Sequence, residues 1–86
     1  MATNRIRISR SAERQLKQLT DEGRRRIARA IQTLAHDPLP RGCRKLAGYD
    51  DVYRIRVGPY RVLYSVDGDQ LIVIVLKVGH RRDAYR

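Results

Sequence analysis

The chain contains no tryptophan and no phenylalanine, and it has one cysteine, one methionine and three prolines in 86 residues. With tyrosine as its only aromatic residue, its core must rely on Ile, Leu, Val and Ala. The lone Cys43 excludes an internal disulfide and suits a reducing cytoplasm, where it reads as a spare thiol in a loop. No apolar run approaches the roughly 18 residues of a membrane-spanning helix. The longest, Leu71 to Leu76, has the length of a strand. Arg5 and Arg7 break up the early apolar residues, so neither a signal peptide nor a membrane partner is expected. There is no CxxC, no paired Cys/His spacing and no Gly-rich phosphate loop. Acidic residues are few and scattered, apart from Asp50-Asp51 and the turn pair Asp67/Asp69, which argues against a two-metal nuclease site. Serine nucleophiles have no plausible His/Asp setting. Neither a metal nor a cofactor is therefore expected.

Positive charge is present in excess. Nineteen Lys and Arg against nine Asp and Glu leave a net charge of +10. Such a field favours nucleic acid or an acidic protein as partner. The length suits one small domain spanning 1–86, burying about 60–65% of its unfolded surface around one modest core.

Periodicity divides the chain into two halves. Residues 4–8 alternate Ile6 and Ile8 with arginine and predict a short strand. Ser9 or Ser11 can then cap a helix whose apolar stripe is Ala12, Leu16 and Leu19. Thr20 or Asp21 can cap a second, with Ile27, Ile31 and Leu34 on one face, stopped by Pro38 and Pro40. So short a connection predicts an antiparallel helical hairpin. From about residue 50 the period changes to two. Val52–Val57, Tyr60–Val66 and Leu71–Val78 predict three strands of an antiparallel meander, the last apolar on both faces and therefore central and doubly covered. The predicted class is α+β: an N-terminal strand, a helical hairpin and a β-meander with one face packed on the helices. A two-residue and a three-residue loop after Asp67-Gly68 would place Lys77 on opposite faces, and the sequence does not choose between them.

The segment Tyr53-Arg54-Ile55-Arg56-Val57-Gly58-Pro59-Tyr60-Arg61-Val62 carries the most information. With Gly58-Pro59 as a two-residue turn, Val57 pairs with Tyr60 and Arg56 with Arg61. Directly opposite side chains share a face, so Arg54, Arg56 and Arg61 gather on the side away from the helices. Like charges set opposite each other cost roughly a few tenths to 1 kcal/mol per pair. A phosphate held between guanidinium forks would offset that cost.

Beyond the last strand lie His80, Arg81 and Tyr85. A phenol, which ordinarily titrates at about pH 10, is a weak base, but surrounding arginines stabilise its phenolate and bring acid–base work within reach without histidine. His80 could donate or accept a proton. His36, near the end of the second helix, reads as a structural complement to the helix dipole. Arg24, Arg25, Arg26 and Arg29 form a second basic stretch that either faces an anionic partner or is simply solvated.

The run from Val52 to Tyr64, followed by Val78-Gly79-His80-Arg81-Arg82-Asp83-Ala84-Tyr85 and preceded by the turn Lys45-Leu46-Ala47-Gly48, resembles the RelE toxins of the RelE/ParE superfamily. The order of elements resembles theirs over nearly the whole chain. The resemblance implies a cytoplasmic, metal-independent endoribonuclease, an mRNA interferase that cuts messenger RNA in the ribosomal A site and is inhibited by an acidic, RelB-like antitoxin. It implies that Arg54 and Arg56, where the family often has lysine, bind and orient the scissile phosphate. By the same resemblance Arg61 stabilises the transition state, Arg81 is the candidate general acid, and Tyr85 is the candidate general base. Other branches place a histidine in this tail, so His80 could share the substrate site or the base role. A ParE-like inhibitor of DNA gyrase on the same fold is the alternative, and a non-catalytic RNA- or antitoxin-binding relic is a third.

Overall fold

The computed structural model describes residues 4–68 and 72–80, with His80 described through its backbone alone. Along the chain run β1 (Arg5–Ile8), α1 (Arg10–Lys17), α2 (Asp21–His36), β2 (Arg44–Lys45), β3 (Val52–Val57), β4 (Tyr60–Asp67) and β5 (Ile72–His80). This is the predicted α+β arrangement: a first strand, a helical hairpin, then an antiparallel meander packed on the helices. The two-residue β2 was not anticipated, because its Pro- and Gly-flanked segment reads as loop.

Local chemistry sets the helix boundaries. Ser9 caps α1 by accepting from the amide of Ala12 at 3.1 Å, and its own hydroxyl donates to the carbonyl of Leu76 at 2.8 Å. Thr20 caps α2 by accepting from the amide of Gly23 at 3.1 Å. Asp21 and Glu22 complement the dipole in the first turn of α2, and Pro38 follows its last residue closely. Ala12, Ile27, Ile31 and Leu34 form the buried helical stripe and meet Val62, Tyr64, Val73, Val75 and Val78 of the sheet.

The sheet order is β1-β5-β4-β3-β2, with β1 parallel to β5 and the remaining pairs antiparallel. The strand that is apolar on both faces therefore lies inside the sheet, as predicted. Its second face is less covered than predicted: Ile72, Ile74 and Leu76 are only half-buried. The register of the last hairpin matches neither short loop, since Asp67 pairs with Ile72. A bulge adds a second correction. Leu63 pairs with Lys77 but Tyr64 pairs with Val75, so Leu76 has no residue opposite it. The extra residue lets Val75 and Val78, three apart, both point into the core, where each is almost completely buried. It also puts Lys77 beside Leu63 on the face away from the helices.

Candidate nucleic-acid interface

The β3–β4 hairpin has the predicted register. Val57 pairs with Tyr60, Ile55 with Val62 and Tyr53 with Tyr64, and these side chains pack toward the helices. Arg56 pairs with Arg61 and Arg54 with Leu63 on the opposite face. Gly58 opens the two-residue turn at φ 59°, and Pro59 follows it, the Gly-first arrangement of a type II′ turn. The turn thus fixes which residues face each other, and through them where the arginines converge.

A cleft of about 260 Å³ lies on this face, lined by Gly42, Arg44, Arg54, Arg56 and Arg61. All three arginines singled out in the hairpin line it. Arg44 was missed: β2 runs antiparallel to β3 and places Arg44 opposite Arg54. The signal available for it was the Pro40-Arg41-Gly42 turn. The amide of Cys43 donates to the carbonyl of Pro40 at 3.1 Å, with Gly42 at φ 95° in the third position. A turn of that kind needs glycine there, and it reverses the chain into pairing with β3. Arg44 and Arg56 are exposed, while Arg54 and Arg61 are half-buried. Among the described residues neither Arg44 nor Arg56 makes an ion pair with an acid. The cleft is therefore a concave, strongly electropositive surface suited to phosphate.

Beside it runs a wider trough of about 450 Å³, lined by Ser9, Ser11, Leu46, Tyr49, Val52, Leu63, Leu76 and Lys77. The two are contiguous through the row Arg44–Arg54–Leu63–Lys77 across the sheet.

Behind the cleft, the Tyr64 hydroxyl is buried and donates to the carbonyl of Pro38 at 2.8 Å. Burial, followed by the neighbouring Cys43 thiol, pushes its pKa above the ordinary tyrosine value. Its ring stacks on Tyr53 with centroids 6.0 Å apart. Tyr64 is thus a structural phenol that anchors the chain leading into β2.

Most of the second basic stretch is absorbed by the fold. Arg24 donates from Nε to the carbonyl of Leu16 and from Nη2 to that of Leu19, both at 3.2 Å, which closes the C-terminus of α1. Arg25 reaches the carbonyl of Asp21, and the Arg26 guanidinium lies against Gly58 at the β3–β4 turn. His36 is exposed in the last turn of α2, in keeping with a dipole-complementing role. Of the tail, His80 is seen as backbone paired with Tyr60, next to the Gly79–Arg61 pair. Arg81 and Tyr85 lie outside the described residues, and so does any contact they make with the cleft. Among the described residues, no three His, Cys, Asp or Glu side chains are grouped as metal ligands.

Comparison with known proteins places this geometry in context. A family model described as the ParE toxin of the type II toxin-antitoxin system, parDE, matches residues 6–85. The chain is 33% identical over 84 residues to the RelE1 protein of Methanocaldococcus jannaschii, covering 94% of this chain and 93% of that one. Its fold is similar to that of a chain in the archaeal RelE–RelB complex from Pyrococcus horikoshii, with a TM-score of 0.83, 33% identity, and coverage of 95% and 99% of the two chains. It also resembles a chain of the toxin–antitoxin complex RelBE2 from Mycobacterium tuberculosis, with a TM-score of 0.81, 28% identity, and coverage of 92% and 99%.

Proposed function

The chain belongs to the RelE/ParE superfamily of type II toxins, and from that premise we propose that it is a cytoplasmic, metal-independent endoribonuclease that cuts messenger RNA in the ribosomal A site. The arginine-lined cleft on the open face of the sheet carries this reading. The Arg56–Arg61 pair sets two guanidinium side chains opposite each other across the hairpin, an arrangement that a bound phosphodiester would bridge.

In the proposed reaction the RNA supplies its own nucleophile. The 2′ oxygen attacks the adjacent phosphorus, the bond from phosphorus to the 5′ oxygen breaks, and the products are a 2′,3′-cyclic phosphate and a 5′ hydroxyl. Arg54 and Arg56 seat the scissile phosphate. Arg61 stabilises the charge that accumulates on the equatorial oxygens, where a fixed guanidinium helps most in the transition state. Tyr85, or His80 in its place, takes the proton from the 2′ hydroxyl, and Arg81 gives one to the leaving 5′ oxygen. DNA, lacking the 2′ hydroxyl, would resist. The partner would be a RelB-like antitoxin, since solved relatives are a RelE–RelB complex and the toxin–antitoxin complex RelBE2, and the net charge of +10 favours an acidic one.

The name of the matching family model favours a second reading, gyrase inhibition of the ParE type. Translation extracts separate the two. Primer extension on transcripts, with and without ribosomes, should show breaks within codons only when ribosomes are present, and Arg61→Ala should suppress them. Double-strand DNA breaks that accumulate with gyrase, while messages stay intact, would select the second reading.

A further inference from the structure

We propose that Arg44, opposite Arg54 at the edge of the cleft, forms a second phosphate seat in which Arg54 is shared with the scissile phosphate, so that the cleft holds two successive phosphates of one RNA strand. The inference deepens the nuclease reading and rests on it for the identity of the polyanion. Its basis is a count and a spacing. In the proposed reaction the scissile phosphate takes Arg54, Arg56 and Arg61. Among the described residues a fourth arginine, Arg44, also lines the cleft and has no role at that phosphate. The four are ordered in two rows. Arg56 lies opposite Arg61 across β3 and β4, and Arg44 lies opposite Arg54 across β2 and β3. Arg54 and Arg56 are two residues apart on β3, so the rows are separated by about 7 Å, twice the rise of a strand residue. A row offset of this size is close to the separation of successive phosphates along an extended strand.

Arg44 is also held in place. The Pro40–Cys43 turn delivers the chain into β2, and the Tyr64 hydroxyl ties Pro38 to the core. On the other side the amide of Leu46 donates to the carbonyl of Val52 at 2.8 Å. A two-residue edge strand anchored at both ends keeps the Arg44 backbone fixed against β3.

The test uses the full chain and 2′-O-methyl RNA probes, whose attacking hydroxyl is capped so that none is cut. The probes are a dinucleotide with one phosphodiester, a trinucleotide with two, and the same trinucleotide with one linkage or the other replaced by a neutral methylphosphonate. Anisotropy titrations at low salt should show the two-phosphate probe binding about tenfold tighter than the dinucleotide, as one added charge-assisted contact provides. Arg44→Ala should remove most of that gain, weaken the dinucleotide much less, and reduce the trinucleotide's salt slope by about 0.7 for the lost single-strand contact. Arg44→Lys should restore the salt slope with only part of the affinity. A wild type whose affinity does not rise with the second charge overturns the proposal. So does an Arg44→Ala protein that loses dinucleotide and trinucleotide binding equally. Message cleavage is scored separately. Two-phosphate binding through Arg44 with intact messages sinks the nuclease reading and keeps the second seat. Ribosome-dependent cleavage with binding indifferent to Arg44 does the reverse.

Discussion

The hydroxyl of Tyr60 lies over Gly23, so near that a methyl group there would come within 2.5 Å of the oxygen and 2.9 Å of the ring carbon bearing it. The first turn of α2 thereby grips the helix-facing side of the β3–β4 turn, while Arg56 and Arg61 occupy the other side. Helix propensity alone would make Gly23→Ala stabilising by about 1 kcal/mol. Overpacking against a half-buried ring opposes this by about 1–3 kcal/mol. Gly23→Ala should therefore lower stability in denaturant titrations, and the loss should shrink in a Tyr60→Phe background, where the oxygen is gone. An alanine variant more stable than the wild type would show that the ring moves aside freely.

Arg56 faces Arg61 with no acid paired to it among the described residues. Replacing it with a neutral side chain of similar reach separates stability from activity. Arg56→Gln should raise stability by a few tenths of a kcal/mol at low salt, and the gain should fade as salt screens the pair. Cleavage of ribosome-bound message should fall by about 10²-fold if the guanidinium seats and orients the scissile phosphate. Thermal melts at two ionic strengths, paired with a cleavage assay, check both halves. Unchanged cleavage would remove Arg56 from the site.

What was readable in advance depended on how locally each feature is determined. Gly58-Pro59 admits one register, so the Arg56–Arg61 pairing followed from two residues and the period-two pattern. For the helix caps the sequence offers Ser9 or Ser11 and Thr20 or Asp21, and the structure selects Ser9 and Thr20. Lys77 was not assignable because its face depends on a bulge at Leu76, and that bulge is set by the demand that Val75 and Val78 both reach the core. Arg44 was missed because a two-residue strand has no period to detect, and it pairs only because the Gly42 turn steers it onto β3. The roles of Arg24 and Arg26 depend on partners outside α2, the carbonyls of Leu16 and Leu19 and the turn at Gly58, which no pattern within α2 reveals.

The Arg24 side chain reaches the carbonyl of Leu16 in α1 and that of Leu19 just beyond it, and sits 3.7 Å from the Asp21 carboxylate. If its role is to close that helix, Arg24→Ala should lower stability by about 0.5–1.5 kcal/mol, the usual net worth of such hydrogen bonds. RNA binding and its salt dependence should stay at wild-type values. A fall in the salt slope with unchanged stability would instead return Arg24 to the nucleic-acid surface.

Tyr64 makes a prediction at alkaline pH. Its hydroxyl is buried, hydrogen-bonded to Pro38, and has its pKa raised in the folded state, chiefly by burial. In the unfolded chain the phenol titrates at about 10. Below that value both states hold the proton, and stability does not depend on pH through this group. Above it the unfolded state loses the proton first, so the unfolded state binds fewer protons and stability falls as pH rises. The wild type should therefore lose stability progressively above about pH 10, with phenolate absorbance from Tyr64 appearing only as the protein unfolds. Tyr64→Phe should be less stable at neutral pH by about 1 kcal/mol, the worth of the lost hydrogen bond. Its stability should decline less steeply above about pH 10, because one proton-linked contribution has gone. Parallel alkaline slopes for the two proteins would mean that the phenol ionises in the folded state as readily as in water, and the anchoring of Pro38 behind the arginine cleft would have to come from the ring alone.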